Sequence, residues 1–170
     1  MRPYAVAPAY TCKAVGEAIT FSDRRAVWVG TEINGYNMDA VLLEQSLAGL
    51  PSGSAVVIAT HQYGIPCAIS RTIEIARKYQ ALVIEDCAGA LGSRVEGQPV
   101  GSFGDASFFS FDSTKLIHTP LKAGAAVIKD AQWADRATAF HESVTNPLTV
   151  LEKLMLLAKA FTLLTIENPF

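Results

Sequence analysis

Asp86 closes the apolar run Val83-Ile84-Glu85, Ser110 lies within Phe108-Phe109-Ser110-Phe111, and Lys115 follows five residues later in Asp112-Ser113-Thr114-Lys115. A carboxylate, a hydroxyl and a primary amine could together hold a polar ligand and move protons on it. In an open parallel sheet, ligands bind at the C-terminal ends of the strands. Asp86, Ser110 and the Thr60-His61-Gln62 stretch all end apolar runs in that way. Each residue alone has a plainer reading. An Asp after a strand often caps the next helix. A Lys in a polar loop is usually solvated. His61, His118 and His141 have no partner spacing for a metal or a triad and read as structural. Gly101-Ser102-Phe103-Gly104-Asp105 is not a phosphate loop, because it lacks the Lys-Ser/Thr ending and precedes a strand.

The elements that must position these residues alternate. Apolar runs at 4–7, 26–29 (AVWV), 55–60 (AVVIAT), 81–85 (ALVIE), 106–111 (ASFFSF) and 124–129 (GAAVIK) read as strands covered on both faces. Helical patterns lie at 39–47, capped by Asn37 or Asp39, and at 68–79, where Ile69, Ile73, Ala76 and Arg77 share one stripe behind Pro66. The unit from 55 to 85 is therefore βαβ, which implies a parallel sheet. The glycine-rich 95–105 segment predicts a loop or tight hairpin. After Asp130 the pattern is helical to the end, broken at Asn146-Pro147. The expected fold is α/β, a three-layer α/β/α arrangement around a mostly parallel sheet.

Composition narrows the function classes. The chain has 170 residues, half of them hydrophobic and 18% charged, which excludes disorder. Fourteen basic and 16 acidic residues leave a net charge of −2, so a dedicated nucleic-acid binder is not expected. Cys12, Cys67 and Cys87 form neither a zinc spacing nor a disulfide framework. With no signal peptide after Met1, they point to the reducing cytoplasm. Mean hydropathy is high, at +0.25. Much of that excess sits in 150–166, which is apolar nearly all round and interrupted only by Glu152, Lys153 and Lys159. At that length and charge it is a poor membrane span, so it is expected to bury itself against something else.

The order of the whole stretch resembles one family. Glu85-Asp86-Cys87-Ala88-Gly89-Ala90, Val100-Gly101-Ser102-Phe103-Gly104-Asp105, Phe109-Ser110-Phe111-Asp112-Ser113-Thr114-Lys115 and Gly124-Ala125-Ala126-Val127 follow one another. Together with Pro8-Ala9-Tyr10-Thr11, Gly35-Tyr36-Asn37-Met38-Asp39 and Tyr63-Gly64-Ile65-Pro66, they are similar to the DegT/DnrJ/StrS sugar aminotransferases. The resemblance runs from about residue 4 to 130. It implies the aspartate-aminotransferase fold and pyridoxal 5'-phosphate as cofactor. It also implies transfer of an amino group from an amino acid, typically glutamate or glutamine, to a keto-sugar nucleotide. By that resemblance Lys115 forms the internal Schiff base, and Asp86 keeps the pyridine nitrogen protonated so that the ring serves as an electron sink. Ser110 donates to the cofactor phosphate, and Cys12 stands where an aromatic ring often stacks on the cofactor.

Departures from the family pattern qualify these roles. Gly89 replaces the Gln or His that contacts the cofactor's phenolic oxygen. Asp112-Ser113 and Pro120-Leu121-Lys122-Ala123 replace the more usual residues on either side of the lysine. The family's N-terminal arm, its Ser-Gly-Thr phosphate loop and its C-terminal small domain have no counterpart. On this reading residues 1–130 form part of the cofactor-binding large domain, and 131–170 form a helical segment leading toward a small domain. The isolated chain would then bind the cofactor weakly and require a homodimer or a companion chain. The alternatives are an inactive remnant or partner subunit of the same fold, or a pyridoxal-dependent sugar dehydratase. In the dehydratases His replaces the lysine, so Lys115 favours transamination. An unrelated doubly wound nucleotide-binding module would need a Gly-rich turn after an early strand, and none is present.

Overall fold

A computed structural model describes residues 2–112, 114–115, 119 and 123–167; Ser113, His118 and the 120–122 part of the post-lysine run lie outside them. The first strand is β1 (Tyr4–Pro8), followed by α1 (Lys13–Phe21), β2 (Arg25–Val29), α2 (Ala40–Ala48) and β3 (Ala55–Thr60). After a single helical turn at Gln62–Gly64 come α3 (Ile69–Lys78) and β4 (Leu82–Asp86). A two-residue hairpin, β5 (Arg94–Val95) and β6 (Gln98–Pro99), precedes β7 (Ala106–Ser110) and β8 (Gly124–Ile128). The chain then continues into α4 (Ala131–Val144) and α5 (Val150–Glu167).

Six strands form one sheet in the order β2-β1-β3-β4-β7-β8. All neighbours are parallel except β7 and β8, which run antiparallel with Ser107 opposite Val127. The expected βαβ unit is present, with Val56 in register with Leu82 and Thr60 with Asp86. Thus the C-terminal ends of β3 and β4 lie side by side.

Both faces carry helices. Leu43 and Leu47 of α2 and Ile69, Ile75 and Ala76 of α3 pack on Val6, Val29, Val57 and Val83. On the other face Val15 and Ile19 of α1 pack on Ala5, Ala7 and Ile58. Asp39 caps α2, accepting from the Val41 and Leu42 amides at 2.8 and 2.9 Å, whereas Asn37 is buried and bonded elsewhere. The buried stripe of α3 corrects the sequence reading. Ile69, Thr72, Ile75 and Ala76 turn inward, Ile73 is half-buried, and Arg77 stays in water, as a long charged side chain without a buried partner must. The 13–21 helix was not expected. Gly16 and the polar Lys13, Glu17 and Thr20 dilute its pattern, and only Val15 and Ile19 are buried.

The second face is incompletely covered. Val56, Leu82, Ile84, Ala106 and Ile128 floor an open groove of about 940 Å³, walled by Trp133, Ala137 and Phe140 of α4. In α5, Val150, Leu151, Leu154, Met155, Leu157 and Phe161 are each at least 58% exposed. The accessible surface is 11020 Å². A folded monomer of 18.2 kDa has about 8,100 Å² by the usual size scaling. Apolar surface on this scale drives association. The chain expressed alone is therefore expected to run as a dimer or larger species in light scattering, and substituting Leu154 and Leu157 by Glu should shift it toward monomer. A monodisperse monomer of the unsubstituted chain would contradict this. No helix among the described residues is long and apolar enough to cross a membrane.

Candidate active site

The C-terminal ends of β1, β3, β4 and β7 surround a pocket of about 320 Å³. Thr11, Cys12, Thr60, Asp86, Gly89, Ser110 and Lys115 all line it. The four residues singled out from the sequence, Cys12, Asp86, Ser110 and Lys115, therefore converge on one cavity.

Asp86 is the last residue of β4 and only 4% exposed. Its Oδ1 accepts from the Ala88 amide at 3.0 Å, and Thr60 Oγ1 donates to Oδ2 at a long 3.5 Å. Burial pushes its carboxyl above the ordinary value of 3.8, and the Ala88 amide and the Lys115 ammonium only partly offset that. Such a carboxylate gains most from a further hydrogen-bond donor carrying positive charge. Ser110 ends β7, half-buried, and its Oγ accepts from the Asp112 amide at 3.4 Å. Cys12 is exposed and precedes α1 without a side-chain cap bond. Thr11 Oγ1 is buried in the pocket wall with no hydrogen-bond partner among the described residues. A Cβ built on Gly89 would meet only ordinary contacts at 3.7 Å, so nothing steric requires the glycine there.

Beneath the pocket sits a buried carboxylate that the sequence reading treated only as the end of a strand. Glu85 is fully buried. Its Oε1 accepts from the Phe103 and Gly104 amides, both at 2.7 Å. Its Oε2 accepts from the Gly101 amide at 2.7 Å and from His61 Nε2 at 3.2 Å. Burial alone would raise its pKa. His61 and the three amides outweigh it and hold the carboxyl below its ordinary 4.5. His61 Nδ1 accepts from the Cys67 amide at 3.1 Å, which leaves the ring proton on Nε2, facing Glu85. The Gly101–Gly104 loop is thus an anion cradle after all, turned inward onto a carboxylate of the same chain. Its glycines are needed for the approach. Gly101 has φ +89°, and a Cβ on Gly104 would lie 2.8 Å from the Val83 carbonyl oxygen. A Glu inside an otherwise apolar strand was the available signal, since a charge buried there must be satisfied. His61, read as structural, is indeed inside this network. His141 is exposed on α4. The buried thiols of Cys67 and Cys87 are pushed up by desolvation, Cys67 to about 12, so they are inert rather than nucleophilic.

Residues 2–148 match the DegT/DnrJ/EryC1/StrS aminotransferase family. The chain belongs to that family. It is 33% identical over 135 residues to a GDP-perosamine synthase of Escherichia coli O157:H7, covering 79% of this chain and 36% of that protein. It is 36% identical over 131 residues to the dTDP-3-amino-3,6-dideoxy-alpha-D-galactopyranose transaminase of Aneurinibacillus thermoaerophilus, covering 77% and 35%. The structure of DesI in the presence of its TDP-sugar product superposes with a TM-score of 0.73 at 30% identity, covering 82% of this chain and 34% of that one. A DegT/DnrJ/EryC1/StrS aminotransferase from Brucella abortus reaches 0.75 over 95% of this chain, at 24% identity, and shares the fold. This member of the family spans about a third of the length of the curated relatives it matches.

Proposed function

We propose that this chain is the cofactor-facing part of a pyridoxal-phosphate-dependent aminotransferase acting on a keto-sugar nucleotide, with glutamate or glutamine as amino donor. The observation that carries this reading is the convergence of Asp86, Ser110 and Lys115 on one pocket at the C-terminal edge of a parallel sheet. Two features of the pocket fit the cofactor. The buried Asp86 carboxylate, held up by desolvation, suits a protonated ring nitrogen. The Thr11 hydroxyl, without a hydrogen-bond partner among the described residues, offers a donor to a bound group. The cofactor, when bound, supplies an electron sink for the negative charge that develops at the reacting carbon.

The chain's own residues do the rest. Asp86 keeps a proton on the ring nitrogen. With the cofactor bound, Lys115 Nζ would hold it covalently and would serve as the base for the proton on the donor's Cα. Ser110 Oγ donates to the phosphate. Cys12 packs against the ring, with less stacking than an aromatic side chain gives. Residues 1–130 serve as part of the large domain and 131–170 as the helical segment toward a small domain, in a cytoplasmic homodimer or with a companion chain. Gly89 and Cys12 favour a second reading, a catalytically silent piece or partner subunit of the same fold. Lys115 stands against a dehydratase.

Incubation with pyridoxal phosphate followed by borohydride reduction should fix the cofactor on Lys115, as read by peptide mass spectrometry, and Lys115→Ala should abolish the adduct. Labelling with formation of 2-oxoglutarate from glutamate supports the enzyme reading. Labelling without it supports the silent one. Absence of a Lys115 adduct at millimolar cofactor sinks both roles assigned to Lys115.

A further inference from the structure

Three tyrosines from separate loops meet at the mouth of the pocket. Tyr10 follows β1, Tyr36 follows β2, and Tyr63 follows β3 and lines the cavity itself. The Tyr36 and Tyr63 rings are 5.3 Å apart and nearly perpendicular, at 82°. Tyr10 lies 6.2 and 6.5 Å from them, and its hydroxyl bonds that of Tyr63 at 2.5 Å. Yet the three residues are 46%, 53% and 65% exposed. Three aromatic rings held in fixed mutual geometry, with open faces, form a stacking surface rather than a core.

The backbone maintains that surface against strain. Tyr63 has φ +54° and ψ +31°, left-handed values unusual for a bulky aromatic residue. Its turn is clamped from both sides by the buried Asn37. Oδ1 of Asn37 accepts from the Gln62 amide at 3.0 Å, and Nδ2 donates to the Ile65 carbonyl at 3.1 Å. Ser93 Oγ donates to the Gly64 carbonyl at 2.8 Å, and Gln62 Nε2 donates to the Tyr10 carbonyl at 2.8 Å. A strained residue fixed so thoroughly at a pocket mouth is the pattern expected of a ligand clamp.

We propose that Tyr10, Tyr36 and Tyr63 form an aromatic shelf that binds the planar base of a nucleoside diphosphate. This deepens the nucleotide-sugar reading above and rests on it. Size favours the base over the sugar. At about 320 Å³ the pocket is at the small end for ligand cavities, so a bound cofactor and the reacting sugar would leave little room in it for a base. The nucleotide portion must then lie outside, against the rim. There every base offers a π-face to stack on tyrosine.

The test is calorimetric titration of the whole chain with uridine, guanosine and thymidine diphosphates, and with inorganic diphosphate as the baseless control. At least one nucleoside diphosphate should bind about tenfold or more tightly than the control. Tyr36→Ala and Tyr63→Gly, the latter keeping the left-handed turn accessible, should each weaken it by about 5- to 100-fold. Tyr36→Phe should retain binding, because the ring and not the hydroxyl stacks. Affinity for inorganic diphosphate should not change in any variant. Nucleoside diphosphates binding no better than inorganic diphosphate, or unaffected by loss of the rings, overturns the shelf. So does a change in oligomeric state by light scattering with nucleotide binding intact, which would make the patch a protein interface. None of these titrations needs Lys115. A missing Lys115 adduct with the shelf result intact would count against amination alone, and an adduct without base-dependent binding would count against the shelf alone.

Discussion

Glu85→Ala is expected to destabilise the chain by about 3–5 kcal/mol, a large part of the 5–15 kcal/mol that holds a domain of this size. Among the described residues the carboxylate is the sole acceptor for the Gly101, Phe103 and Gly104 amides, and it takes the His61 proton as well. Alanine leaves all four donors facing an apolar cavity. Glu85→Gln is no rescue. Each carboxylate oxygen accepts from at least two donors, so an amide NH₂ in either position confronts donors it cannot accept from. The pH dependence follows from the direction of the shift. The folded pKa lies below the ordinary 4.5, so the unfolded chain binds the proton more readily. The stabilisation is complete above about 4.5 and is lost as pH falls through the lower folded value. Urea midpoints of the wild type should drop over that acid range, and those of Glu85→Ala should drop less. Equal midpoints at neutral pH would show that the amides find another acceptor.

The same residue shows where sequence reading stops. Strand positions came within one or two residues of the structure because each run, such as 55–60, is apolar on both faces and bounded by polar or turn residues. The 94–99 hairpin follows from the glycines and proline between Val95 and Asp105, whereas the antiparallel direction of the last strand had no signal in the sequence. The 13–21 helix was missed because it buries only one narrow stripe. Convergence of Asp86 and Ser110 was legible, since both end strands and such ends meet at one edge of a parallel sheet. Glu85 was not, because period and composition reveal a buried charge but not the loop that satisfies it. The tyrosines were quoted as parts of three separate motifs. Their meeting depends on strand order, which places β1 between β2 and β3, and on Asn37 reaching across to the Gln62–Gly64 turn.

Asp86→Asn is expected to separate stability from function. Asparagine can keep the bond from the Ala88 amide and the contact with Thr60 while removing the buried charge. Burial raises the Asp86 pKa in the fold, so the folded chain holds this proton more readily than the unfolded one. The ionised carboxylate therefore costs stability once pH rises above the ordinary 3.8 and through the higher folded value. Without cofactor, Asp86→Asn should melt higher than the wild type at pH 7, and the gain should vanish in acid below the ordinary carboxyl range. Function should move the other way. Losing the charged partner of a buried ion pair costs roughly 2–5 kcal/mol, so amination should fall by about 30- to 5,000-fold, with the Lys115 adduct still forming. A readout independent of turnover is the ring nitrogen of ¹⁵N-labelled pyridoxal phosphate on the protein. Its chemical shift should be that of the protonated form in the wild type and of the unprotonated form in Asp86→Asn. An unchanged shift would mean that Asp86 does not face that nitrogen, and a lower melting point for Asp86→Asn at pH 7 would mean that its charge is already compensated inside the fold.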